Sequence, residues 1–323
     1  IFSINIHIKN LKQGYKIFKG LFILFNIIWA FTYLFFNNRS LCVYFTPSRN
    51  LLSSLRDFIL LLLIYITNKN NTINVIAHLH GSDLSHLLKR GIYGKVLKKL
   101  YFKCVKKFII NSETHKIFAL GKEFNNYKII NNPIKTKNFP LHKINFKKFS
   151  DKEKLTICFI SIPSKAKGLN ESILFLENTF KKKKWTINIV GWTFDDYKNI
   201  YENEQITDQA ILKKINFLGK ISDNDKYSVL LHSDLFILLS HTEAQPITVI
   251  EAGIFRCGII LSSIEMLKKY EKYKTVLIYS KRKIDEDSIL NILKKNEFFE
   301  ETQKLFINLH SYTLYKKKIL ELM

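Results

Sequence analysis

The stretch 240–253, SHTEAQPITVIEAG, carries two glutamates, Glu243 and Glu251, eight positions apart. It follows the apolar run LFILL at 235–239, which reads as a buried strand. Pro246 and the aliphatic residues behind it read as the first turn of a helix, where the missing N–H of proline removes no needed donor. Glu243 therefore falls in a loop and Glu251 inside a helix. A carboxylate accepts two hydroxyl hydrogens at once, a good grip on a sugar ring, while the start of a helix offers N–H groups and a positive dipole end that suit a phosphate. A ligand built as sugar, diphosphate and second sugar would use all of this. Glu243 would hold one sugar, Gln245, Pro246 and Ile247 would line the helix start, and Glu251 would hold the other sugar.

Taken alone the pattern is weak, because glutamates near helix starts stabilise the dipole in many proteins. A second segment strengthens it. SIPSKAKG, residues 161–168, lies just beyond the first strand of the same half of the chain, at the same edge of a predicted sheet. Lys165 and Lys167 there supply the positive charge that a diphosphate beside two glutamates requires.

The elements that must position these residues alternate. Strands are predicted at 41–45, 73–80, 108–110 and 127–130, with helices over 51–66, from Leu84, and over 94–107. Residues 133–154 are polar and lysine-rich, interrupted by Pro140, and read as a linker. A second series follows, with strands at 155–161, 185–190, 216–218 and 235–239 and helices over 169–180, near 208–213 and near 223–232. Such alternation predicts two α/β domains, 1–140 and 150–323, each a parallel sheet covered by helices and the second ending in C-terminal helices, facing a cleft where a ligand would bind.

Composition limits the partners. The 323 residues carry 51 lysines and arginines against 27 acidic residues, a formal net charge of +24. Six of the 51 are arginine, the residue that base-edge and bidentate phosphate readers favour, so no nucleic-acid partner is expected. Cys42, Cys104, Cys158 and Cys257 are widely spaced and form no CxxC pair, which fits reduced thiols in a cytoplasmic setting. The apolar run at 21–36 has sixteen residues, short of the ~20 that a membrane span needs, and reads as a buried helix. The run at 51–66 is interrupted by Arg56 and Asp57 and reads as a core helix.

The segments FISIPSKAKGL, FLGKISDNDKYSVLLHSDLFILLS and SHTEAQPITVIEAG together resemble the donor domain of retaining glycosyltransferases of the GT-B fold, family 4. HLHGSDL and YKIINNPI in the first half are similar to that family's His-x-His-Gly segment and to the Asn-Pro turn that leaves its acceptor domain. The matches span most of the chain from Ile73 to Gly258. The resemblance implies a GT-B enzyme that moves a sugar from a nucleotide-diphosphate sugar to an acceptor hydroxyl with retention, without a cofactor. It places Glu243 on the transferred sugar, Glu251 on the ribose, Lys167 on the diphosphate, and Gly219 among the substrate-binding positions. It departs from the family at Ile162, where arginine is usual, and in LSSIEMLKKY, which lacks the usual glycine pair. The family's first strand and glycine-rich loop would precede Ile1, so the N-terminal domain is expected to be truncated. The acceptor implied is a glycan or lipid-linked glycan of bacterial surface polysaccharide or lipopolysaccharide. A non-catalytic relative that holds a nucleotide sugar or a membrane partner is the alternative.

His78 and His80 alternate on one strand, so they share a face, and such a pair holds a metal when a third ligand exists. Asp83 is near but better placed as the N-cap of the next helix. The resemblance implies no metal and makes His80, followed by Gly81, the cleft histidine that contacts the donor sugar; His78 is expected to pack inside. On the helix predicted over 94–107, Lys95, Lys99, Lys103 and Lys106 or Lys107 fall on one face, opposite Val96, Leu97, Leu100, Tyr101 and Val105. A solvated face is the plain reading. The functional one is a surface for anionic lipid, which would put the protein peripherally at the inner face of the cell membrane.

Overall fold

A computed structural model describes residues 41–48, 51–68, 73–81, 84–121, 125–136, 139–144, 153–280 and 284–322. The apolar run at 21–36 and Asp83 lie outside them. The chain divides into two compact units, one reaching Ile110 and including Lys116–Ile129, the other Asn111–His115 with Ile130–Glu321.

In the first unit the order is β1 (Leu41–Phe45), α1 (Leu51–Thr67), β2 (Ile73–His78), α2 (Leu84–Leu88), α3 (Gly91–Cys104), β3 (Lys107–Ile110), α4 (Glu113–Leu120, which straddles the division) and β4 (Tyr127–Ile129). The four strands form one parallel sheet in sequence order. Leu61, Ile64, Val75, Leu97, Tyr101 and Phe108 are among its buried core. Asp57, which breaks the apolar run of α1, is fully buried and paired. It accepts from the Ser48 N–H at 2.6 Å and from Tyr101 Oη at 3.0 Å, and Arg56 forks onto its other oxygen. A buried carboxylate so satisfied explains a charge inside a core helix.

The helix predicted over 94–107 is shifted three residues toward the N-terminus. Val105 turns extended, and the Lys106 N–H already donates to Val75 O at 2.9 Å, so the next residues join the sheet. Lys106 and Lys107 therefore leave the lysine face, and Lys107 opens β3 opposite Ile76. Val96, expected on the apolar face, is 40% exposed. Among the described residues, no helix is long and apolar enough to cross a membrane.

The second unit runs β5 (Lys154–Ile160), α5 (Leu169–Thr179), β6 (Lys184–Val190), α6 (Phe194–Ile200), α7 (Gln209–Leu212), β7 (Ile215–Gly219), α8 (Asp223–His232), β8 (Leu235–Leu238), α9 (Ile247–Ile254), β9 (Gly258–Ser262), β10 (Val276–Tyr279), α10 (Glu286–Leu293), α11 (Asn296–Leu309) and α12 (Tyr312–Leu320). Its six strands are parallel in the order β10-β9-β8-β5-β6-β7. All four residues of central β8 are buried, whereas edge strand β7 is buried only at its two ends, as a sheet covered on both faces requires. Gly253 lets α9 lie against α11, since a Cβ there would meet the Phe306 ring at 2.4 Å. α4, α6, β9 and β10 had no counterpart in the sequence reading. α6 is short and polar, and what starts it is a capping box between Thr193 and Asp196.

Candidate active site

β5 and β8 are hydrogen-bonded neighbours, with Ile157 opposite Leu235 and Cys158 opposite Phe236. The loops that leave their carboxyl ends therefore lie side by side, at the edge where open parallel sheets bind ligands. The β5 loop ends in a short turn, Lys165–Lys167, and Gly168 then enters α5 with φ +68°. A Cβ on Gly168 would stand 2.0 Å from Leu239 O, so only glycine lets this turn press against the end of β8. The His241 N–H donates to Ala166 O at 2.8 Å, stitching the two loops together, and His241 Nε2 lies 2.8 Å from Glu171 Oε1 in the first turn of α5.

That stitching brings Lys167 to Glu243. Nζ lies 2.7 Å from Oε1, and the two side chains are 21% and 10% exposed. The pair sits beside the N-terminal end of α9, whose first N–H groups have no intrahelical acceptor. Pro246 is the N-cap, one position before the helix proper, and Ile247 begins it, half-exposed. One turn in, Glu251 is buried, and its Oε1 lies 2.8 Å from Lys226 Nζ on α8. Burial pushes the Glu251 carboxyl up and Lys226 pulls it back, leaving it above the ordinary glutamate value. Burial lowers the Lys226 ammonium, but Glu251 and then Asp223 outweigh it and leave it raised.

Lys165 is exposed and pairs with Glu204 at 2.5 Å. Gln245 is buried, and its amide is taken up by the turn after β4: Oε1 accepts from the Asn132 N–H at 2.7 Å and Nε2 donates to Asn131 Oδ1 at 3.1 Å. Gly219, at the end of β7, has its N–H on Trp192 O and its carbonyl under the Gly191 N–H. Ile162 is 72% exposed at the loop after β5. His80 and Gly81 follow β2 in the first unit, His80 exposed and ring-to-ring with buried His78 at 4.0 Å. His78 also bonds Tyr44 Oη. Among the described residues no three His, Cys, Asp or Glu side chains gather to hold a metal. Lys226 and the His241–Glu171 pair went unnoticed in the sequence. Lys226 left one faint signal, a lysine on the inward stripe of a predicted helix.

Residues 142–308 match the family described as Glycosyl transferases group 1. The chain belongs to this family. Among solved structures, Anabaena Alr3699/HepE in complex with UDP-glucose aligns at a TM-score of 0.64 with 15% identity, covering 91% of this chain and 80% of HepE. The lipopolysaccharide outer core galactosyltransferase WaaB aligns at 0.64 and 15%, covering 97% and 81%. TarM, with a structure from S. aureus, aligns at 0.55 and 18%, covering 80% and 52%. At these identities the likeness is one of fold, and the architecture of this group 1 glycosyltransferase is GT-B, with two parallel sheets and interleaved helices. A comparison by sequence with curated proteins found no match.

Proposed function

We propose that the chain transfers a hexose from a nucleotide-diphosphate sugar to an acceptor hydroxyl with retention of the anomeric configuration. The observation that carries this reading is the Lys167–Glu243 pair at the start of α9, with Glu251 one turn in. Lys167 neutralises Glu243, which would otherwise repel a diphosphate, so phosphate and sugar recognition can coexist at one helix end. The fold's neighbours support the donor and acceptor classes, since HepE was solved with UDP-glucose and WaaB is a lipopolysaccharide outer core galactosyltransferase.

In the proposed reaction Glu243 holds hydroxyls of the transferred hexose, Glu251 holds the ribose, and Lys167 with the α9 dipole stabilises the charge that develops on the diphosphate. The bond from the anomeric carbon to the diphosphate oxygen breaks as the acceptor oxygen bonds the same face. The acceptor proton passes to the departing diphosphate, so no separate base is required. Lys165 makes up for the arginine missing at Ile162, because an exposed ion pair with Glu204 holds it only weakly. His80, beside Gly81, is assigned to sugar contact. The domains are assigned as 1–140 for the acceptor and 150–323 for the donor.

The chain is further assigned to a surface-glycan pathway at the inner face of the cell membrane. Supporting this, α3 exposes Ile92, Val96 and Phe102 in one stripe with Lys95, Lys99 and Lys103. Lysines flanking exposed apolar side chains suit an anionic, partly apolar surface.

Proton NMR of the product formed from UDP-glucose or UDP-galactose tests the reaction. An α-linked product, formed equally well in EDTA, is expected; a β-linked product would refute retention, and loss of activity in EDTA restored by Mg²⁺ would refute metal independence.

A further inference from the structure

Lys226 stands where a core-facing helix ordinarily carries an apolar residue. On α8, Tyr227 and Leu230 are buried, and Lys226 shares their inward side with a side chain 18% exposed. An ammonium there is costly to desolvate, and an apolar side chain of similar reach would fill the space without that cost. Its position therefore calls for a reason beyond packing. Nζ lies 2.8 Å from Glu251 Oε1 and 3.2 Å from Asp223 Oδ1. Asp223 is 80% exposed and screened by solvent, whereas the Glu251 side chain is 6% exposed, so Glu251 is the partner that matters electrostatically. Glu251 Oε2 is buried and has no hydrogen-bond partner among the described residues. An orphaned carboxylate oxygen is expensive unless something completes it.

We propose that Lys226 is a positioning residue of the donor site: it fastens Glu251 through Oε1, preserves its negative charge, and leaves Oε2 as the acceptor for a ribose hydroxyl. This rests on the donor reading above. Oε2 is covered, so the hydroxyl reaches it through a small turn of the carboxylate, which the single bond to Lys226 permits. The groups that face the pair are Asp223 and Tyr227 on α8, with Lys226 Nζ 5.0 Å from the Tyr227 ring centre. From α11, Gln303 engages the far end of α9 through Ile254 O and, just past it, Arg256. Burial raises the Glu251 carboxyl and Lys226 is the main opposing influence. Removing the lysine should therefore let Glu251 take up a proton at a higher pH, and a protonated carboxyl is a poorer acceptor.

UDP is the probe, titrated by calorimetry from about pH 5 to about pH 8, on the acid side of which a raised carboxyl loses its charge first. Lys226→Met is expected to weaken UDP about tenfold at neutral pH and to move the acid-side loss of affinity upward by about one pH unit, with Lys226→Arg restoring most of both. Lys226→Met added to Glu251→Gln should cause no further loss. Lys226→Gln, which keeps a neutral donor, serves if the methionine variant does not fold. Unchanged affinity and pH profile in Lys226→Met would overturn the proposal, as would losses that add in full to those of Glu251→Gln. A readout independent of the donor is the carboxyl carbon-13 titration of Glu251 in the unliganded protein, assigned by its absence in Glu251→Gln. An upward shift in Lys226→Met supports the coupling and no shift refutes it. Failure of the parent to bind UDP would sink the donor reading alone.

Discussion

At the scale of single residues, the site is a balance of two half-buried ion pairs, Lys167 with Glu243 and Lys226 with Glu251. Removing one member leaves the other charge poorly compensated in a dry place. Glu251→Ala should thus weaken UDP binding, by roughly tenfold or more for one charged hydrogen bond of about 1.5 to 3 kcal/mol, and calorimetry would show it. Unaltered affinity would remove Glu251 from the donor site. The carboxyl lies above the ordinary glutamate value, so in the parent protein UDP affinity should fall on acidification before that of a site built on an exposed glutamate. Glu243, Lys167 and Glu251 were legible in the sequence because each follows a strand or helix start whose apolar pattern is plain. Lys226 was not, because its meaning depends on a contact with a residue twenty-five positions away, which no local pattern records. Gln245 has partners that are likewise remote in sequence. Its place in the loop pointed to the helix start, and its amide is engaged by Asn131 and Asn132 across 114 and 113 positions, contacts that the local sequence does not carry.

At the scale of elements, the loops meet because β5 and β8 are neighbours and because Gly168 has no side chain. Gly168→Ala should lower stability by about 1 to 2 kcal/mol for the left-handed backbone alone, and by more for the clash with Leu239 O, read as a lowered urea midpoint. A midpoint unchanged from the parent would mean that the turn does not press on β8. A second element contact is electrostatic. Glu286, at the start of α10, accepts the N–H groups of Lys181, Lys182 and Lys183 ahead of β6 at 2.7 to 3.0 Å. Burial alone would raise its carboxyl, but the three donors outweigh burial and hold it below the ordinary value. A lowered folded-state value contributes stability above the unfolded value, and that contribution is lost as pH falls through the folded one. The stability gap between the parent and Glu286→Gln should accordingly be widest near neutrality and close in acid; a gap independent of pH would refute this. The apolar strands β5 and β8 were readable from sequence, as was α8, which a capping serine opens. The end of α3 falls at Cys104 rather than at 107 because it is set by strand pairing at Lys107, a tertiary constraint that helical periodicity does not carry.

At the scale of the whole molecule, two parallel sheets, a family match over 142–308 and a positive formal charge of +24 belong to one account. The fold class was legible because strand and helix alternate through both halves, whereas donor, acceptor and membrane contact depend on ligands that the sequence does not contain. If α3 docks on anionic lipid, replacing Lys95, Lys99 and Lys103 by glutamine should reduce cosedimentation with phosphatidylserine vesicles by roughly fivefold per lysine and leave UDP affinity intact. Equal binding of parent and triple variant would make α3 an ordinary solvated helix. The central claim is that the loop bearing Glu243 performs sugar transfer, and UDP release tests it most directly. The parent, incubated with UDP-glucose, UDP-galactose and UDP-N-acetylglucosamine and with short bacterial glycans, should release UDP from at least one donor. Glu243→Gln, folded and able to bind UDP, should lose about tenfold to a hundredfold or more of that rate, as expected for charged hydrogen bonds to the reacting sugar. Equal UDP release by the two proteins would contradict the account.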